Sequence, residues 1–225
     1  MNRPAGMYLE ATGLGPSVVL THGFGDDSST FRAQRRALDG HRVCWWDLPG
    51  HGRSGVEDQP STRASVLEWL EAVIGHAGPE PVVLVGHSLG GYLSLCRTVL
   101  DPTGIAGLVL IATGPGFRDP AKREAWNDFV AGFAERHGVP AFAQGICAQP
   151  DGVVLDRLEQ VQAPTLVVVG GDDERYHAGS RVIADRVPGA RLVQVDGAGH
   201  FPHRTRSDQF NRHLRDFLAE MSPSS

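Results

Sequence analysis

Six short apolar runs recur along the chain, at Ser17–Thr21, Arg42–Asp47, Pro81–Gly86, Gly107–Ala112, Thr165–Gly170 and Arg191–Asp196. Most are nearly continuous in hydrophobicity rather than alternating, which is the pattern of strands covered on both faces of a parallel sheet. Helical spacing fills the intervals, at Ser61–His76, Leu89–Leu100, Tyr176–Val187 and Thr205–Ala219. In the last of these, Phe210, Leu214, Phe217 and Leu218 share one side. Strands alternating with helices predict right-handed βαβ units, and so an α/β fold built on a doubly wound, mostly parallel sheet. One further strand, around Met7–Thr12, is expected at a sheet edge.

The rhythm fails between Thr113 and Val161, where only helix-like stretches occur: Pro120–His137, Pro140–Ala148 and Asp151–Gln160. In the first, Trp126, Phe129, Val130 and Phe133 form an apolar stripe at helical offsets. We therefore expect residues 1–114 and 161–225 to form the core and 115–160 to form a short helical cap over the end of the sheet.

A chain of 225 residues is long enough for one such domain and does not demand two. Its net charge of −5 comes without any cluster of Lys or Arg, which argues against a nucleic-acid footprint or a polybasic membrane anchor. No stretch approaches the ~20 apolar residues of a membrane span, and MNRPAGMYLEATG lacks the apolar core of a secretory signal. Cys44, Cys96 and Cys147 are far apart and two lie in apolar runs, so they are read as buried reduced thiols of a cytoplasmic protein. With no CxxC pair, no metal site is expected. The expected partner is a small-molecule substrate; the oligomeric state leaves no signal.

Residues 82–95, VVLVGHSLGGYLSL, place one hydroxyl between a buried strand and a helix, with glycines two positions to either side. A nucleophile at the carboxyl end of a parallel strand must project from a turn so tight that neighbouring side chains would collide with backbone. Gly86 and Gly90 remove those side chains. Ser88 then stands at a helix amino end, where free N–H groups favour developing negative charge.

A serine hydroxyl needs a base and a group to orient that base. This kind of turn calls for the chain order serine, acid, histidine. Among ten histidines, His200 lies just past the last strand in the Gly-rich loop VDGAGHFPH. His76, His137 and His213 fall on helical stretches, His87 is locked inside the turn, and His203 begins the last helix. The acid should leave the preceding strand, where GGDD supplies Asp173, with Asp172 as the alternative. Two backbone donors complete an oxyanion hole: the N–H of Leu89 and, from THGFG after the first buried strand, that of Phe24.

With HGFG at 22–25, DLPGHGRSG at 47–55, GHSLGG at 86–91, GGDD at 170–173 and GAGHFPH at 197–203, the chain resembles the α/β-hydrolase superfamily over essentially its full length. The resemblance implies a structural role for DLPGHGRSG, despite its Asp47, His51 and Arg53. It also exposes two departures, a single strand where the family opens with a hairpin and a compressed cap. Pocket-lining candidates are His87, Phe117, Trp126, Phe129 and Phe201, with Phe24 and Phe133 beside them.

These residues point to a cofactor-free serine hydrolase of small or medium esters, thioesters or lactones. A second possibility is a lyase, because GLVLIATGPGFRDPAKREAW and GDDERYHAGSRVIA look like stretches of the menaquinone-pathway synthase. That enzyme has a basic residue just after the elbow glycines, where this chain has Tyr92; Arg118, Lys122 and Arg123 could instead hold an anionic substrate. A slow-turnover ligand receptor is the third.

Overall fold

The computed structural model describes residues 3–55 and 60–221, so the short Ser/Pro tail at 222–225 lies outside the described residues. Seven strands form one sheet: β1 (Leu9–Thr12), β2 (Ser17–Thr21), β3 (Arg42–Trp46), β4 (Val82–His87), β5 (Ile105–Ile111), β6 (Thr165–Gly170) and β7 (Arg191–Val195), in the order β1-β3-β2-β4-β5-β6-β7. Only β1 runs antiparallel, pairing Leu9 with Trp46 at the edge. The sheet is thus the expected doubly wound, mostly parallel one.

The central strands are buried throughout because both their faces carry apolar side chains. Val19, Leu84, Leu108, Leu110 and Val167 point into one core with α2 (Arg63–Ala77) and α3 (Leu89–Leu100). Val18, Leu20, Val83, Val85, Val109 and Ile111 point into the other, against Phe31 and α8 (Ser207–Met221). Edge strand β7 is covered mainly at its end, by Val195.

Helix α1 (Arg32–Ala37) was not expected from the sequence, since RAQRRA has no apolar stripe and its one buried side chain is Gln34. The Gln34 amide holds it in place by donating to the His203 carbonyl and to Asn211. Between β5 and β6 lie α4 (Pro120–Arg136), a 3-10 segment (Ala141–Cys147), α5 (Val153–Arg157) and a last 3-10 turn (Leu158–Gln160). The second expected helix is a 3-10 segment, and at Gly145 it comes so near the Ser61 carbonyl that a Cβ would stand 2.7 Å from it. Helix α6 (Glu174–Arg186) follows β6, and α7 (Pro202–Thr205) precedes α8. Arg63 fastens the insertion to the core with a two-point ion pair to Asp151, at 2.8 and 2.7 Å.

Candidate active site

Ser88 leaves β4 and begins α3 at φ 51° and ψ −112°. Such a conformation costs a non-glycine residue on the order of 1–3 kcal/mol. The other non-glycine residue with positive φ among the described residues is Ala112, at the end of neighbouring β5. The Ser88 N–H donates to Ile111 at 2.8 Å, so backbone strain gathers where the two central strands end.

The glycine fence is a matter of backbone contact. A Cβ on Gly86 would lie 2.3 Å from the Gly90 carbonyl, and one on Gly90 would lie 2.1 Å from the Thr21 oxygen. A Cβ on Gly23 would stand 2.8 Å from His87 Nδ1 and 3.2 Å from Ser88 Cβ, so the turn after β2 rests on the elbow. Among the described residues, the N–H groups of Phe24 and Leu89 have no acceptor. They are the donors an oxyanion beside Ser88 would meet.

On the other side, the chain after β6 closes against the loop after β7. Gly170 permits this, because a Cβ there would lie 2.1 Å from the Gly199 oxygen. The Asp172 N–H donates to Ala198 at 2.9 Å. His200 Nδ1 donates to the Asp173 carboxylate at 2.9 Å, which leaves Nε2 as the lone-pair nitrogen. Asp173 is buried and Asp172 exposed, so of the two acids it is Asp173 that holds the imidazole. His200 Nε2 has no hydrogen-bond partner among the described residues.

Tyr176, the first residue of the helix expected at Tyr176–Val187, lies on this imidazole. The two rings stack with centroids 4.5 Å apart at 29°. Burial pushes the phenol up to about 12, against the pull of a hydrogen bond from Ser88. Its spacing, three residues past the acid on the first turn of α6, was the only available signal.

His87 does not open onto a pocket, which corrects its expected place there. It is 1% exposed, its Nε2 donates to the His200 carbonyl at 2.8 Å, and its ring packs on those of His200, Phe201 and His203. Burial holds it well below the usual histidine range, as it does His203, lowered to about 3. His203, the rival base, is sealed in the core with Nε2 at 3.0 Å from the Thr30 hydroxyl. Phe201 meets the His200 ring edge-on at 5.3 Å.

Phe117, Trp126 and Phe129 form one aromatic string along the insertion, with centroids 6.1 and 5.7 Å apart. The Arg175 guanidinium, from the first turn of α6, lies 4.4 Å over Phe129. Phe24 packs on Phe133 and His51. The DLPGHGRSG segment is a folded turn in which Asp47 accepts the N–H groups of Ser28 and Arg53, both at 2.7 Å. The Leu48 N–H donates to His22 Nε2 at 2.9 Å, tying this turn to the one bearing Phe24.

A groove of about 480 Å³ lined by Leu166, Arg191, Leu192, Val193, His213, Asp216 and Glu220 opens at the far ends of β6 and β7. Ligands of open parallel sheets gather instead at the carboxyl ends of the strands, the end at which Ser88 lies.

The chain has a strained serine on a strand–helix elbow and a histidine held by a carboxylate, and residues 18–213 match the model of the Alpha/beta hydrolase family. The chain belongs to that family. It is 35% identical over 120 residues to the pimeloyl-[acyl-carrier protein] methyl ester esterase of Shewanella sp. (strain MR-7), a match covering 53% of this chain and 43% of that relative. It superposes on a thermophilic esterase from Thermogutta terrifontis with TM-score 0.81 at 26% identity, covering 96% of this chain and 93% of that one. MenH from S. aureus shares the fold, with TM-score 0.78 at 20% identity over 97% of this chain and 99% of that one. No described helix is long and apolar enough to cross a membrane.

Proposed function

We propose that this protein is a serine hydrolase that cleaves a small or medium carboxylic ester, thioester or lactone through an acyl-enzyme. Ser88 attacks the carbonyl carbon while His200 Nε2 takes its proton. Asp173 holds the imidazole and balances the charge it gains. The N–H groups of Phe24 and Leu89 receive the oxyanion. His200 then protonates the departing alkoxide or thiolate, and water releases the acyl group by the reverse proton path. The observation that carries this reading is the His200–Asp173 bond on the rim where Ser88 is held in its strained turn.

The test is covalent. A fluorophosphonate probe and p-nitrophenyl butyrate should respectively label and be cleaved by the wild type, and Ser88→Ala should abolish both. Labelling that persists in Ser88→Ala would defeat the assignment. The buried, unpaired thiols of Cys44, Cys96 and Cys147 fit a reducing compartment, and we place the enzyme in the cytoplasm.

The lyase alternative is less well served. Arg118 is paired with Asp156 at 2.6 Å and Arg123 donates to the Phe117 and Arg118 carbonyls, so two of the cations expected to hold an anionic substrate are engaged. At the position after the elbow glycines, the Tyr92 hydroxyl accepts from Arg63 at 3.3 Å.

A further inference from the structure

On the serine hydrolase reading, we propose that Tyr176 belongs to the reaction centre: its hydroxyl donates to the leaving-group oxygen of the ester, and its ring limits that side of the site to small alcohols. The position follows from two constraints. The departing oxygen must lie near the carbon bonded to Ser88 and within reach of His200 Nε2, which protonates it. A ring stacked on His200 at 4.5 Å whose hydroxyl meets Ser88 occupies the approach to that same point.

The chemistry of the group suits the task. A phenol raised to about 12 keeps its proton at neutral pH and offers a donor. The next residue back along the chain, Arg175, lies over Phe129 of the insertion. The ring is held against the histidine, and a bulky alcohol would have to displace it. In acylation the Ser88–carbon bond forms, the carbon–alkoxide bond breaks, and His200 passes to the alkoxide the proton it took from Ser88. Tyr176 keeps its own proton throughout and supplies a hydrogen bond alone.

The experiment separates this role from a structural one by leaving-group chemistry. p-Nitrophenolate departs without a proton, whereas methoxide needs all the help available. Tyr176→Phe keeps the stack and should lower kcat on methyl butyrate on the order of 100-fold, with p-nitrophenyl butyrate changed less than about 3-fold and KM little moved. Equal losses on both esters, or no loss on methyl butyrate, would overturn the proposal. A second measurement needs no variant: kcat/KM of the wild type should fall from methyl to butyl to benzyl butyrate, and benzyl turnover equal to methyl would also overturn it. If the wild type cleaves neither activated nor alkyl esters, or if Ser88→Ala still does, the hydrolase reading fails and this proposal with it. Cleavage by the wild type with an unselective Tyr176→Phe loss removes the Tyr176 role alone.

Discussion

The elbow and the insertion are held by opposite means. Around Ser88 the neighbours are backbone atoms, so close that Gly86, Gly90 and Gly170 could not bear a methyl group without something moving. Across the insertion the ties are side chains: Arg63 to Asp151, Arg175 over Phe129, and the Trp126 indole to the Cys147 carbonyl at 3.2 Å. Backbone contact this close leaves no room for a side chain and fixes the position of Ser88. Side-chain contact can be exchanged residue by residue, so the insertion is the part of the molecule freer to change.

Perturbations should therefore grade from severe at the elbow to slight at the insertion. The largest expected effect is Asp173→Asn, a loss of roughly ten-thousand-fold in kcat with an unchanged melting temperature; a loss under tenfold would show that His200 is oriented by something else. Gly90→Ala comes next, a destabilisation of more than about 4 kcal/mol, because the new methyl meets the Thr21 and His22 oxygens, which cannot retreat without breaking the sheet. A urea titration showing less than 1 kcal/mol (roughly an ordinary surface change) would refute the contrast.

Acid should act behind the elbow as well. Burial lowers His51 to about 4 and His203 to about 3. The unfolded chain protonates its histidines below about 6.5 while these two resist, so the unfolded state binds more protons and gains. Stability should be flat above that pH and fall as pH drops from 6.5 toward 4, by roughly 1.4 kcal/mol per pH unit for each of the two. Urea midpoints at pH 7.5, 5.5 and 4.5 measure this, and His203→Phe should flatten the slope. Arg63→Met removes the strongest tie of the insertion, yet Asp151 is 47% exposed, so about 1 kcal/mol is expected, with KM raised more than kcat is lowered. Smallest of all, Phe129→Ala should cost about 0.5 kcal/mol by losing one exposed cation–π contact.

The same contrast explains what the sequence could disclose. Buried parallel strands have no polar face, so Ser17–Thr21 and Thr165–Gly170 stood out to the residue. The spacing of Gly86, Ser88 and Gly90 is likewise written in the chain, because only glycine satisfies those contacts. Helix α1 was silent because amide hydrogen bonds from Gln34 hold it rather than an apolar stripe. Tyr176 was silent because a stack on a residue 24 positions later has no local signature. His87 was misassigned to the pocket because sequence gives proximity to Ser88 but not the direction of a side chain.

One bond couples the two halves of the elbow machinery. A carbonyl can only accept, so the contact from His87 Nε2 to the His200 oxygen fixes His87 as its Nε2–H tautomer, with Nδ1 buried and unpaired. The residue preceding Ser88 thus props up a loop 113 positions away in the chain. Drift at position 87 reaches across the fold: a successor without an N–H of the same reach leaves the His200 carbonyl without this donor while Ser88 stays put.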